Sequence, residues 1–269
     1  MVTLALPRLL LARDSARRAG SMVERNVAAL RSAYWIVMVG GFLEPLLYLF
    51  SIGVGVGALI GDIRIPDGRV VGYAEFVAPA MLAASAMSGA LSETTFNFFG
   101  KMKFMRLYDA VLATPVRPME VAAGELIWAM ARGTVYAAAF LVVMTLMDLT
   151  SWPRALAAFP ATVFVGFAFG ALGMALSTFM RGWQEFDLIA AVQFALFLFS
   201  GTFVPAQDYW PPLRMLVEIT PLYRAVDLIR GICLTSFGAV QVVDLIYLCA
   251  LFAGGLALAG RRMARLLLK

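Results

Sequence analysis

The sequence contains no histidine and only two cysteines, Cys233 and Cys249. Histidine is the commonest metal ligand and the commonest general base in proteins. Its absence argues against zinc sites, histidine-ligated haem, and Ser-His or Cys-His nucleophile systems. Because Cys249 falls inside an apolar run and Cys233 precedes that run, we expect no intrachain disulfide.

A nucleotide-binding loop is also missing. No G-x-x-x-x-G-K-[ST] motif occurs, and the single Gly-Lys pair, Gly100-Lys101, is followed by Met102. The chain is therefore not expected to bind ATP phosphates through a Walker loop. We also expect it to bind no cofactor of its own. The glycines at 53, 55 and 57 resemble a dinucleotide fingerprint, but no strand precedes them and the run around them is apolar, so we expect them to serve helix packing.

Charged residues are scarce, at 14% of the 269 residues, whereas apolar residues reach 62% and the mean hydropathy is +0.84. A soluble domain is about half apolar and a quarter charged. This composition predicts an all-α membrane protein. Residues 33–269 form one predicted transmembrane domain with six helices, at about 33–60, 73–96, 119–147, 155–180, 188–203 and 240–260.

Residues 1–32 interleave six arginines with apolar residues. This pattern predicts a basic amphipathic helix at the membrane interface, although a solvated basic flank would look the same. With both termini inside, the inner segments hold 15 Lys and Arg and the outer segments 6. The positive-inside rule thus predicts a multi-pass protein of the cell membrane with cytoplasmic termini. Its basic clusters suit anionic lipid headgroups, and no nucleic-acid partner is expected.

Several polar side chains fall near or inside the predicted spans: Glu44, Glu75, Glu93, Glu125, Arg132 and Gln193. An ionisable group that faces lipid is costly, so these should face the protein interior, a partner subunit or water. Glu125 and Arg132 are seven residues apart, on one helical face, where each could pair with another helix. Proton coupling and structural ion pairing are both open interpretations.

Two connecting segments are unusual. Residues 97–118 are basic and aromatic, which suits either docking to a partner or an ordinary positive-inside loop. Residues 204–239 carry the prolines Pro211, Pro212 and Pro221, each followed by helix-periodic apolar residues. They predict two short surface or re-entrant helices before the last span.

Four stretches resemble the ABC-2 type exporter permeases, in particular the nodulation-factor and polysaccharide export branch. They read E-P-L-L-Y-L-F-S-I-G-V-G-V-G at 44–57, A-T-P-V-R-P at 113–118, G-E-L-I-W at 124–128, and the pair S-G-T-F-V-P at 200–205 with P-L-Y-R-A-V-D-L-I-R-G at 221–231. The last pair is the most specific, and the resemblance covers nearly the whole chain.

The resemblance implies that this chain forms half of an exporter's channel. A second permease, as a homodimer, and two copies of a cytoplasmic P-loop ATPase carrying ATP-Mg would complete it. Residues 1–32 resemble the family's connecting helix, and 97–118 its coupling segment, which implies ATPase contacts from Lys101, Lys103, Phe104, Arg106, Asp109 and Arg117. Residues 204–239 resemble the outward helices, with Pro205, Pro221, Asp227 and Arg230. The cargo would be amphiphilic, lipid-linked or saccharide-like, or a drug.

Other functions are compatible with parts of this pattern. An ion-coupled secondary transporter could use Glu93, Glu125 and Arg132, although no inverted repeat is visible. A lipid-modifying membrane enzyme lacks a reactive cluster to build on. A purely structural anchor would tolerate changes at Glu125 and in residues 97–118.

Overall fold

The computed structural model describes residues 20, 24, 43, 47, 49–65, 68–105, 108, 111, 116, 118–235 and 237–267. Apart from residues 20 and 24, the predicted interfacial helix at 1–32 lies outside these residues, as does half of the first predicted span. A π-helical turn, Ser51–Val56, continues into α1 (Gly57–Ile60). The chain then turns at Gly61, whose φ of 74° is a conformation that glycine adopts without strain.

The predicted polar turn at 61–72 is a β-hairpin. Its strands are β1 (Asp62–Arg64) and β2 (Val70–Gly72). They pair antiparallel, with Ile63 opposite Val71. The hairpin leads directly into the first long helix, so it marks one end of the helical bundle, which we call the hairpin end.

Four long helices make up most of the described bundle: α2 (Tyr73–Ser92), α3 (Pro118–Leu146), α4 (Trp152–Ser177) and α8 (Ala239–Leu267). Helix α2 continues through π-helical turns at Glu93–Asn97 and Gly100–Phe104. The four helical stretches 73–103, 118–146, 152–177 and 239–265 are long and apolar enough to cross a membrane. The helix of the second predicted span therefore continues beyond Phe96, and the segment at 97–118 begins as helix.

The fifth predicted span differs most from its expectation. Helix α5 (Glu185–Leu198) has 14 residues. At 1.5 Å per residue it is about 21 Å long, less than the roughly 30 Å of a hydrocarbon core. The apolar run at 188–203 ends as helix because Gly201 takes a φ of 69° and Pro205 follows. Six spans therefore remain a prediction, of which four are seen as span-length helices among the described residues.

The two short helices expected before the last span are present. They are α6 (Pro211–Ile219) and α7 (Pro221–Leu234), and each begins with proline, which has no N–H to leave unpaired. The Thr220 hydroxyl caps α7 by accepting from the Tyr223 N–H. One face of α7 packs into the bundle, because Leu222, Val226 and Ile229 are all fully buried.

Helix α4 lies at the centre of the bundle and contacts α2, α3, α7 and α8. Small residues permit the close approaches. A Cβ on Gly255 of α8 would lie 2.8 Å from the Ala171 carbonyl carbon of α4, and one on Gly170 would lie 2.7 Å from a Leu126 methyl of α3. Where lipid removes the hydrophobic drive between helices, such packing is a main source of their association.

Candidate functional site

A cavity of about 640 Å³ separates α2 from α5. Its walls come from side chains of α2 and its π-helical continuation, of α5, and of Tyr136 in α3: Met81, Ala84, Ser85, Ser88, Gly89, Ser92, Thr95, Phe96, Tyr136, Phe186, Ile189, Ala190, Gln193, Phe194 and Phe197. This volume falls within the range of small-molecule sites. The cavity therefore has room for a small molecule.

The cavity exists because α5 stands away from the bundle. None of the α5 residues is buried. In its middle, Gln193 reaches across the cavity and donates from Nε2 to the Ser88 Oγ of α2 at 2.7 Å. Gln193, one of the polar side chains noted within the predicted spans, thus joins the two walls.

Aromatic rings hold α5 at the end of the bundle opposite the hairpin. Phe96 and Phe99, in the continuation of α2, contact Trp183 and Phe186, with the Phe96–Trp183 ring centroids 4.7 Å apart and the Phe99–Phe186 centroids 5.1 Å apart. Aromatic pairs at such distances add stability beyond the area that they bury. We call this the loop end, because residues 97–118 follow it.

Two ion pairs join α2 to α3 near the loop end. Arg132 Nη1 lies 2.5 Å from Glu93 Oε1, and Lys101 Nζ lies 2.7 Å from Glu125 Oε2. All four side chains are largely shielded, with exposed fractions between 5% and 22%. The seven-residue spacing of Glu125 and Arg132 places both on the face of α3 that meets α2. Their pairing supplies the opposite charges that residues in an apolar bundle need.

The other predicted site residues of the loop region are only partly described. Lys103 is exposed, and its ammonium lies 5.8 Å from the centre of the Phe99 ring. Phe104 ends the π-helical turn. Glu44, Arg106, Asp109 and Arg117 lie outside the described residues.

At the hairpin end, Arg230 connects the two halves of the most specific sequence motif. Its Nη2 donates to the Gly201 carbonyl at 2.9 Å and its Nε to the Phe76 carbonyl at 3.2 Å. The guanidinium also lies 3.8 Å above the Phe76 ring, a cation–π contact. Burial lowers the pKa of Arg230 to about 10, so the side chain stays charged at neutral pH. One arginine thereby fixes the end of α5 to α7 and α2.

The other expected residues of this region have different surroundings. Pro205 is buried and Pro221 opens α7, whereas Asp227 is half-buried. Asp227 lies close enough to Tyr223 to affect it: burial, reinforced by the Asp227 charge, raises the pKa of the Tyr223 phenol to about 12.

Helix α7 is also held at its C-terminus. Arg69 of the hairpin donates to the Leu234 carbonyl at 2.6 Å, and Arg154 of α4 donates to the Cys233 carbonyl at 3.3 Å. Cations at a helix C-terminus satisfy its open carbonyls and oppose the negative end of its dipole.

Sequence analysis missed Asp244. It lies in α8, is fully buried, and accepts from Arg224 Nη1 at 3.1 Å. Its second carboxylate oxygen, Oδ2, has no hydrogen-bond partner among the described residues. A single acid in an otherwise apolar span was the available signal, since such residues are rare and costly in lipid.

A family model described as ABC-2 type transporter matches residues 19–234. The chain is similar to Nodulation protein J of Rhizobium leguminosarum bv. trifolii, at 31% identity over 90% of this chain and 92% of that protein. It is also similar to Nodulation protein J of Sinorhizobium fredii, at 30% identity over 84% of each chain.

The family match spans the motif at 200–205 and 221–231 and the helices that line the cavity. The apolar, span-length helices and the shielded ion pairs are what a membrane-embedded transporter requires. The chain therefore belongs to the ABC-2 type transporter family.

Proposed function

We propose that this chain is the permease subunit of an ATP-driven exporter of the cell membrane. The observation that carries the proposal is the match to the ABC-2 type transporter family. The cavity between α2 and α5, which has room for a small molecule, is consistent with it. The sequence has no Walker loop, so a separate subunit must hydrolyse ATP. The chain itself would be a transport subunit, not an ATPase, and would hold no cofactor.

The assembly would contain two permeases, as a homodimer, and two cytoplasmic P-loop ATPase subunits holding ATP-Mg. The distribution of Lys and Arg supports cytoplasmic N- and C-termini. That orientation puts the loop end of the bundle in the cytoplasm and the hairpin end outside. The cargo class is an amphiphilic, lipid-linked or saccharide-like molecule, or a drug.

Residues 97–118 are the proposed contact with the ATPase. Lys103 and Met105 are exposed at the start of this segment, and Met105 is 73% exposed. The segment continues the helix that lines the cavity, and Lys101 ties it to α3 through Glu125. A displacement of the segment by the ATPase would therefore reach both walls that α2 and α3 contribute.

An ion-coupled secondary transporter is the alternative function. Asp244 is the observation that favours it, because one buried carboxylate oxygen lacks a partner among the described residues. Against it, Glu93 and Glu125 are each paired with a basic side chain. Transport by the permease alone in sealed vesicles with an ion gradient would establish the alternative and overturn the ATP-driven proposal.

Purification in mild detergent tests the ATPase partnership directly. We expect a P-loop ATPase to co-elute with the wild-type permease, and the double charge reversal Lys103→Glu with Arg106→Glu to remove it. Arg214→Glu is the matched control, because Arg214 is an exposed basic residue of α6, on the hairpin side of the chain. Unchanged ATPase recovery with the double variant would reject residues 97–118 as the contact.

A further inference from the structure

The two walls of the α2–α5 cavity differ in chemistry. Helix α2 contributes hydroxyl groups from Ser85, Ser88 and Ser92, and helix α5 contributes the rings of Phe194 and Phe197. An apolar chain can lie against the rings while hydroxyl, ether or amide groups face the serines. Serine hydroxyls both donate and accept hydrogen bonds, so they suit uncharged polar groups of either kind.

None of the described residues that line the cavity carries a formal charge. Glu93 follows Ser92 in the chain, but it does not line the cavity and is paired with Arg132. A charged ligand group placed here would lose its hydration without gaining an opposite charge, which is strongly unfavourable. An uncharged ligand does not meet this penalty.

Gln193 marks where an uncharged polar group would bind. Its amide already spans the cavity to the Ser88 hydroxyl at 2.7 Å. A ligand hydroxyl or amide can exchange for this hydrogen bond with little net change, because one neutral hydrogen bond replaces another.

We propose that the cavity binds an electrically neutral amphiphile, with its apolar chain against α5 and its hydroxyl or amide groups against α2, and that it discriminates against anionic headgroups. The assignment rests on the proposed transport function for its biological meaning. The cavity's volume of about 640 Å³ is sufficient for a ligand of drug size.

Photolabelling of the purified full chain in lipid nanodiscs tests the proposal without any ATPase. One probe is a dodecyl glucoside with a diazirine in its chain, and the other is dodecyl phosphate with the same diazirine. We expect the neutral probe to label peptides of α2 and α5 that line the cavity. The anionic probe should label them at least about tenfold less, the ratio that 1.4 kcal/mol of binding free energy produces.

The second part of the photolabelling experiment uses variants in which a larger side chain fills the cavity. Gly89 lines the cavity and has nothing within 4 Å of where a Cβ would be, so Gly89→Phe should occupy the space without a clash at that atom. We expect it to lower neutral labelling about tenfold. Gly254→Phe is the matched control, because Gly254 is exposed on α8 with equally open surroundings and should leave labelling unchanged. Ala190→Phe fills the same space from α5 and replaces Gly89→Phe if that variant does not fold.

Equal labelling of the cavity by both probes would overturn the charge discrimination. Neutral labelling that survives both filling substitutions would overturn the site itself, because it would show labelling at the lipid surface only. Either failure leaves the ATP-driven export proposal standing, which depends on ATPase co-elution. Loss of that co-elution would conversely leave the measured ligand preference unchanged.

Discussion

The Glu93–Arg132 pair gives the sharpest stability prediction. Arg132→Met removes the cation and leaves Glu93, which is 17% exposed, with a charge that its described neighbours no longer neutralise. Breaking a buried ion pair on one side costs about 3–5 kcal/mol. The residual exposure of Glu93 places the expected loss at about 3 kcal/mol, the lower end of that range.

The assay is reversible unfolding in mixed micelles, followed by circular dichroism, for a set of four proteins. These are the wild type, Arg132→Met, the neutral double variant Glu93→Gln with Arg132→Met, and the charge-swapped double variant Glu93→Arg with Arg132→Glu. The neutral pair should lose about 1 kcal/mol, because it forfeits a hydrogen bond but buries no lone charge. The swapped pair should recover part of the single variant's loss.

The test depends on the interaction free energy between Glu93 and Arg132. A loss in Arg132→Met that is no larger than in the neutral double variant would show that Glu93 gains hydration or another partner when Arg132 is removed. The ion pair would then not stabilise the contact between α2 and α3. The single variant Glu93→Gln, measured beside these four proteins, completes a double-mutant cycle, and additive single effects in that cycle would refute the prediction in the same way.

Three further predictions concern single positions. Gly201→Ala should lower stability by about 1 kcal/mol, because its φ of 69° is strained for a residue with a Cβ, and thermal unfolding measures this. Gly255→Leu should cost about 3 kcal/mol in the same assay, since its Cβ would meet α4 backbone, whereas Gly254→Leu should be neutral. Cys233 should resist N-ethylmaleimide at pH 8 until the protein is denatured, because burial raises the pKa of its thiol to about 12 and the thiolate is the reactive form. Rapid native labelling of Cys233 would contradict its buried position.

The sequence alone was sufficient to predict that this is a membrane protein and where much of its helix lies. Hydropathy and composition predict a membrane protein because lipid requires apolar surfaces and internally bonded backbone, whatever the tertiary arrangement. Proline fixes backbone φ and lacks an N–H, so Pro211 and Pro221 correctly marked the starts of α6 and α7. The motif at 200–205 and 221–231 was enough to suggest the family that the comparisons confirm.

The fifth span shows the limit of that reasoning. Its apolar run has span-like composition, but the helix ends at Leu198 because Gly201 and its contact with Arg230 set a turn. Asp244 was missed for a related reason: hydropathy averages a window, and one acid hardly changes the mean of a very apolar segment. Only the tertiary structure shows that Arg224, twenty residues earlier, is its partner.

Periodicity therefore determined which residues share a helical face, and the tertiary structure decided what each face meets. The spacing of Glu125 and Arg132 placed them together, but their partners Lys101 and Glu93 follow from how α2 packs against α3. The cavity is the clearest case, because no local pattern encodes a space between α2 and α5. It arises from the distance at which α5 is held, by aromatic rings at one end and by Arg230 at the other, and such distances are set by contacts between residues far apart in the chain.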